Sequence, residues 1–232
     1  MKKHLFTFGL IVCTIFTIQA QHGTWDQLLK KYVSSTGKVN YRGFKAEKNK
    51  LNSYINYLAT AQVPGSRSAA VAFYINAYNA YTVKLIVDNY PTTSITKLKG
   101  GKPWDYRFAK VAGKTYTLND IEHKILRAKY FDARLHFALV CAAQSCPKLL
   151  NKAYTAANLN AELDRQARIF VNNRAKNKIS QGSVQVSQLF NWYKGDFTKR
   201  SSLIGFINKY SRVKASANAK VSYLNYSWKL NE

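Results

Sequence analysis

The chain has 232 residues, 47% hydrophobic and 14% aromatic, enough for a sizeable core, which excludes a wholly disordered basic tail or a collagen-like rod. Its length allows one globular domain or at most two, and excludes machinery of several domains. Thirty-six basic residues against eleven acidic ones give a formal charge of +25, or +23 once the two lysines of the expected signal are discounted. The basic residues are spread along the chain, with neither zinc finger nor RNP motif. We read them as a solvated surface suited to loose association with anionic envelope surfaces, without a specific nucleic-acid partner.

Lys2 and Lys3 precede an apolar run from Leu5 to Ile18, and Gln19-Ala20 offers a small residue at the cut. This layout predicts a signal peptide over 1–20 and a single exported domain over 21–232, periplasmic or extracellular. The run is shorter than the ~20 residues of a spanning helix, and no later segment is long and apolar enough, so no transmembrane segment is expected after signal removal. Cys13 would leave with the signal. Cys141 and Cys146 then remain, in a compartment where disulfides persist.

Trp25, Leu28, Leu29, Tyr32 and Val33 recur at helical spacing, and so do Phe44, Leu51, Tyr54, Ile55 and Leu58, which predicts two amphipathic helices. After the breaker Val63-Pro64-Gly65-Ser66, the stretch from Ala69 to Val87 is apolar on nearly every side, predicting a central buried helix. Asn76 and Asn79 lie on one face of it, and buried amides must find partners. A hairpin is expected over 106–117, turning at Ala112-Gly113. Helix resumes at Asn119, with Glu122 three residues on as the closing member of a capping box.

Arg134 to Val140 is short, apolar and bounded, which reads as a buried strand. Lys148 to Tyr154 reads as irregular. Thr155 is expected to cap a helix through Leu159, Leu163 and Phe170, and Gln181-Gly182 to turn another hairpin. A helix near Leu203–Tyr210 and an extended piece at Val221–Tyr226 close the chain. Helices and short strands without a repeat or long linker give an α+β domain.

The densest polar chemistry lies in Asp120-Ile121-Glu122-His123 and in the run from His136 to Pro147. A cysteine beside a histidine is the minimum kit for a thiol nucleophile, because imidazole takes the thiol proton and the thiolate attacks a carbonyl. On one strand, His136 and Cys141 would face apart, ~17 Å from end to end. Cys146 follows a turn-like stretch that folds the chain back, and is therefore the better nucleophile, with His136 as base and Ser145 or loop N–H groups serving an oxyanion. Four residues separate Cys141 from Cys146, so the two also suit a disulfide with Cα atoms ~5.5 Å apart. Glu122 either orients His136 or only closes its cap, and His123 and Arg127, four apart, share a helix face. Two cysteines and one nearby histidine fall short of a structural zinc set, and neither a metal nor a cofactor is expected.

In residues 72–79 (AFYINAYN), 118–127 (LNDIEHKILR), 136–147 (HFALVCAAQSCP) and 186–197 (VSQLFNWYKGDF) the chain resembles the bacterial domain-of-unknown-function family number 547. The resemblance runs from Trp25 to Asn231. It departs at Tyr74, Val140 and Ala142, where tryptophan, asparagine and glycine are usual. It implies a papain-like or transglutaminase-like core, a central helix packed on an antiparallel sheet, with hints of both hydrolase and thiol redox chemistry. In the papain arrangement a cysteine opens the central helix and a histidine follows. Here that helix has no cysteine, Asn76 stands near the nucleophile's place, and both later cysteines follow His123 and His136.

Three functions remain open from the sequence. One is a secreted thiol-dependent hydrolase or acyl transferase acting on amide or peptide bonds through Cys146, His136 and Glu122. Another is a catalytically inactive papain-like module binding a peptide-like or small-molecule ligand through Asn76, Asn79 and His136. The third is a thiol redox protein using Cys141 and Cys146, although that spacing is wider than a CxxC pair.

Overall fold

A computed structural model describes residues 22–232. The expected export signal, with Cys13, lies outside the described residues. The first helix, α1 (Gly23–Tyr32), buries Trp25, Leu28 and Leu29 on one stripe, as their spacing requires. The second expected helix is two: α2 (Tyr41–Ala46), capped by the Asn40 side chain on the Gly43 N–H, and α3 (Lys48–Thr60). Glu47 breaks them with φ −105° and ψ 34°, and its carboxylate accepts from the Tyr32 hydroxyl at 2.8 Å. A hydrophobic stripe continuous across two helices does not disclose such a break.

Ser66 caps α4 (Arg67–Asp88) by accepting from the Ala69 N–H. Eighteen of its 22 residues are buried, so it is surrounded on all sides, as an all-round apolar helix must be. Its main neighbours are α2, α3 and a π-helical segment at Asp120–Arg127. The hairpin β1 (Ala109–Val111) and β2 (Lys114–Tyr116) turns at Ala112-Gly113, both at positive φ, and the Tyr81 hydroxyl ties α4 to the Lys110 carbonyl at 2.5 Å.

Two sequence expectations are corrected in the middle of the chain. The box before the π segment closes at Thr117 and Asp120: the Thr117 hydroxyl accepts from the Asp120 N–H at 2.9 Å, and the Asp120 carboxylate accepts from the Thr117 N–H at 3.0 Å. Asn119 donates instead to Asp105, and Glu122 caps nothing. The π segment runs on as α5 (Ala128–Tyr130). The apolar run after it is no strand. Asp132 accepts from the Arg134 N–H and starts a 3-10 turn over Ala133–Phe137. A short apolar run has no periodicity of its own, so a local side-chain cap decides its shape.

The rest of the chain builds a second core. α6 (Leu159–Val171) follows a reciprocal Thr155–Asn158 pair and spans both cores, with Leu159 and Leu163 in the first and Ala167, Phe170 and Val171 in the second. β3 (Lys178–Ile179) pairs antiparallel with β4 (Ser183–Val186). Then come α7 (Leu189–Trp192), α8 (Lys194–Thr198) and α9 (Leu203–Tyr210), and β5 (Lys220–Tyr223) lies parallel to β4, Val184 opposite Val221. The α+β class therefore holds. Its strands form two small sheets, and the three-stranded one packs in the second core, away from the main neighbours of α4.

Candidate functional site

The 138–154 segment, whose buried hydrophobic residues belong to the first core, is held by α4. Asn79 donates to the Ala138 carbonyl at 2.9 Å and accepts from the Val140 N–H at 3.0 Å. One turn earlier, Asn76 does the same for the carbonyl and N–H of Tyr154, at 2.7 and 3.0 Å. The two amides clamp both ends of the 138–154 stretch, and neither borders the cavity described below, so their expected ligand-binding role is corrected to a positioning one. Ala142 stands at φ 58°, a left-handed conformation that favours glycine. The Ser145 hydroxyl accepts from the Ser227 N–H at 2.8 Å and pins the C-terminal stretch.

This folding-back joins Cys141 to Cys146 as a disulfide with Cα atoms 6.1 Å apart. Cys146 is buried, and Cys141 is partly exposed with its sulfur 3.2 Å from the Tyr226 hydroxyl.

His136, on the 3-10 turn, is 3% exposed, and its ring lies on that of Tyr193 with centroids 3.9 Å apart. Its Nε2 is 2.7 Å from Oδ2 of Asp196 on α8. Burial pushes the Asp196 carboxyl up, but hydrogen bonds from His136 and Arg127 outweigh it and hold the group well below the usual carboxylate range. Asp196 is therefore ionised and Nε2 donates to it. Arg127 forks the same carboxylate at 2.7 and 3.1 Å, and its other arm meets His123 Nδ1 at 2.8 Å. The second imidazole nitrogen, Nδ1, faces Glu122 Oε1 at 4.0 Å. Both nitrogens of His136 thus face carboxylates. Among the described residues neither is hydrogen-bonded to a sulfur, so the expected Cys146–His136 nucleophile pair is not assembled, and the bridged sulfur carries no thiol proton to remove.

Glu122, His136 and both cysteines nevertheless border one cavity of about 320 Å³. Much of its remaining wall is aromatic. Trp192 stacks on Trp228 at 5.8 Å, Tyr226 lies 4.7 Å from Trp228, and Trp104 meets Trp228 edge-on at 5.5 Å. Tyr78 and Tyr193 complete the side around Glu122; burial, then the Glu122 carboxylate, raises both phenols above their ordinary range. Trp192 is 49% exposed, which leaves a large apolar face at the rim.

The sequence therefore brings Glu122, His136, Cys141 and Cys146 together and sets His123 and Arg127 immediately behind them. It missed Asp196, Tyr193 and the tryptophans as site residues. The available signal was Asp196 itself, one of only eleven acidic residues, set beside Trp192 and Tyr193 in a basic tail. Among the described residues no three His, Cys, Asp or Glu side chains gather as a metal-ligand set, and no helix is long and apolar enough to cross a membrane.

Residues 65–171 match the family model described as "Protein of unknown function, DUF547". The match supports the DUF547 family. The matched segment runs from just before α4 to the end of α6 and holds both asparagine clamps, Glu122, His136 and the disulfide, while Asp196, Tyr193, Trp192, Tyr226 and Trp228 come after it. No curated protein and no solved structure matches the chain.

Proposed function

We propose that the protein is an exported, catalytically inactive papain-like module that binds a peptide-like or small-molecule ligand in its aromatic cavity. The observation that carries this reading is that Cys146 is bridged while His136 gives Nε2 to Asp196 and turns Nδ1 toward Glu122, with neither nitrogen hydrogen-bonded to a sulfur among the described residues. A thiol nucleophile needs a free thiol and a base aimed at it, and neither condition is met. Asn76, near the place of the papain-type nucleophile, spends its amide on the Tyr154 backbone, which fits a fold that keeps its cleft without the chemistry. An open aromatic wall around a few converging polar groups is what a small-ligand site requires: rings supply contact area, and Glu122 supplies a fixed acceptor.

Three of the four tryptophans border the cavity, so intrinsic fluorescence reports its occupancy directly. Titration of the mature protein with a panel of short peptides and small molecules is expected to give saturable quenching, weakened about tenfold by Trp192→Ala, the loss of one stacking face. Amide hydrolysis by the unreduced protein that Cys146→Ser abolishes would overturn the reading.

A second reading is favoured by one observation, that both sulfurs border the cavity holding His136 and Glu122. A dithiol reductant would deliver two electrons and two protons to the bridge, giving two thiols and its own disulfide. Thiol labelling separates the two readings. A bridge resistant to millimolar glutathione is structural, whereas one opened readily at the cavity wall is redox-active.

A further inference from the structure

The 141–148 stretch that walls the aromatic cavity also borders a second cavity of about 300 Å³, and Cys146 touches both. Lys38, Lys148, Lys176 and Asn173 line the second one. The Lys148 ammonium donates to the Ser35 carbonyl at 2.9 Å, and that of Lys176 donates to the Cys146 carbonyl. Among the described residues none of the three lysines has a carboxylate oxygen within 4.0 Å, in contrast to Lys30, Lys48, Lys84 and Lys152, each of which does. An ammonium carries three N–H donors, so Lys148 and Lys176 each keep two beyond the carbonyl they serve.

These cations are also costly where they sit. Burial lowers Lys176 to about 8, and burial together with the Arg165 charge, against the pull of Glu162, lowers Lys148. The acidic side chain at this cavity is Glu232, whose carboxylate accepts from the Tyr90 hydroxyl at 3.0 Å. The wall is built tightly: Gly37, at φ 87°, packs so close that a Cβ there would lie 2.3 Å from Lys148 Cβ.

We propose that this cavity binds a phosphate-type oxyanion, free or carried by a lipid headgroup, through Lys176, Lys148 and Lys38. Among the described residues Lys148 and Lys176, partly buried and with spare donors, and the exposed Lys38 have no carboxylate oxygen within 4.0 Å, so an anion placed between them is stabilising. Lysines are point charges with rotatable donors, suited to a compact tetrahedral group with several acceptor oxygens; the planar arginine fork that favours a carboxylate is not among the cavity's lining. This site is separate from the aromatic cavity and does not rest on the function proposed for it.

The test uses the mature protein in a buffer free of oxyanions. Inorganic phosphate is titrated by calorimetry, and sedimentation with phosphatidylglycerol vesicles is compared with phosphatidylcholine vesicles. Phosphate is expected to bind saturably, with affinity reduced about tenfold or more in Lys176→Gln and in Lys148→Gln, and unchanged in Lys97→Gln, an exposed lysine elsewhere. Lys176→Arg, which keeps the charge, checks that loss is not a folding defect, as does an unchanged circular dichroism spectrum. In the wild type, NMR of the Lys176 side chain should show its titration moving to higher pH when phosphate is present. Vesicle binding that shares the Lys176 dependence assigns the headgroup as source, and phosphate binding without vesicle binding assigns the free ion. No saturable phosphate binding, or equal weakening in all three glutamine variants, overturns the proposal.

Discussion

Asn79 shows how one side chain shapes the site without touching it. Its two hydrogen bonds satisfy an N–H and a carbonyl in a buried loop that belongs to no strand or helix. Asn79→Ala would leave both groups without partners, each at a cost of about 1–3 kcal/mol. The expected loss is therefore ~2–4 kcal/mol in urea unfolding at neutral pH, with altered tryptophan fluorescence as the loop under the cavity shifts. A midpoint unchanged within error would remove the clamp from the account. That Asn76 and Asn79 must be bonded was legible from two amides on one face of an apolar helix. Their partners were not, because they lie 59 to 78 residues along the chain, and spacing speaks only for near neighbours. Distance along the chain hid Asp196 in the same way: it meets His136 across 60 residues.

Elements with their own periodicity or turn chemistry were legible, and those set by competition were not. The long helix has apolar residues on every side, the hairpin carries Ala112-Gly113 at its turn, and α9 coincides with its expected span, Leu203–Tyr210. At the π segment two caps competed, and Thr117 with Asp120 won, which freed Glu122 to face the cavity. The Ser34–Lys38 turn offers a test at this scale. Gly37 holds positive φ there and its backbone abuts Lys148. Gly37→Ala adds a conformational penalty of ~1–2 kcal/mol and a contact that backbone must move to relieve, for a combined loss of ~2–4 kcal/mol. The companion Gly182→Ala meets nothing within 4 Å and has no positive φ, so it should change the urea midpoint little. Equal midpoints for the two variants would refute the close packing of that turn on Lys148.

At the scale of the molecule, a chain with 36 basic and eleven acidic residues must use its few carboxylates carefully. Burial pushes Asp88, Asp132, Glu162 and Asp196 up, and hydrogen bonds from basic partners outweigh it; at Glu47 and Asp120 hydrogen bonds from Lys50 and Lys124 lead. All six end below their ordinary values. Their contribution to stability is present above the unfolded carboxylate range, near 3.8 to 4.5, and is lost as pH falls through and below it. His22 acts earlier. It is buried against Tyr54, its Nδ1 2.7 Å from the hydroxyl, and burial lowers it from 6.5 to about 4. Between those values the unfolded chain holds more protons than the folded one, so stability falls as pH falls from 6.5 to about 4 and the effect levels off below. At ~1.4 kcal/mol per unit, the loss is on the order of 3 kcal/mol at most. Urea midpoints should sag across this window, then drop steeply as the carboxylates protonate and the basic surface loses its internal counter-charges. In His22→Gln the sag should disappear and the steep acid limb remain. A sag that survives in the variant would assign the upper window to a different group and leave His22 as core packing only.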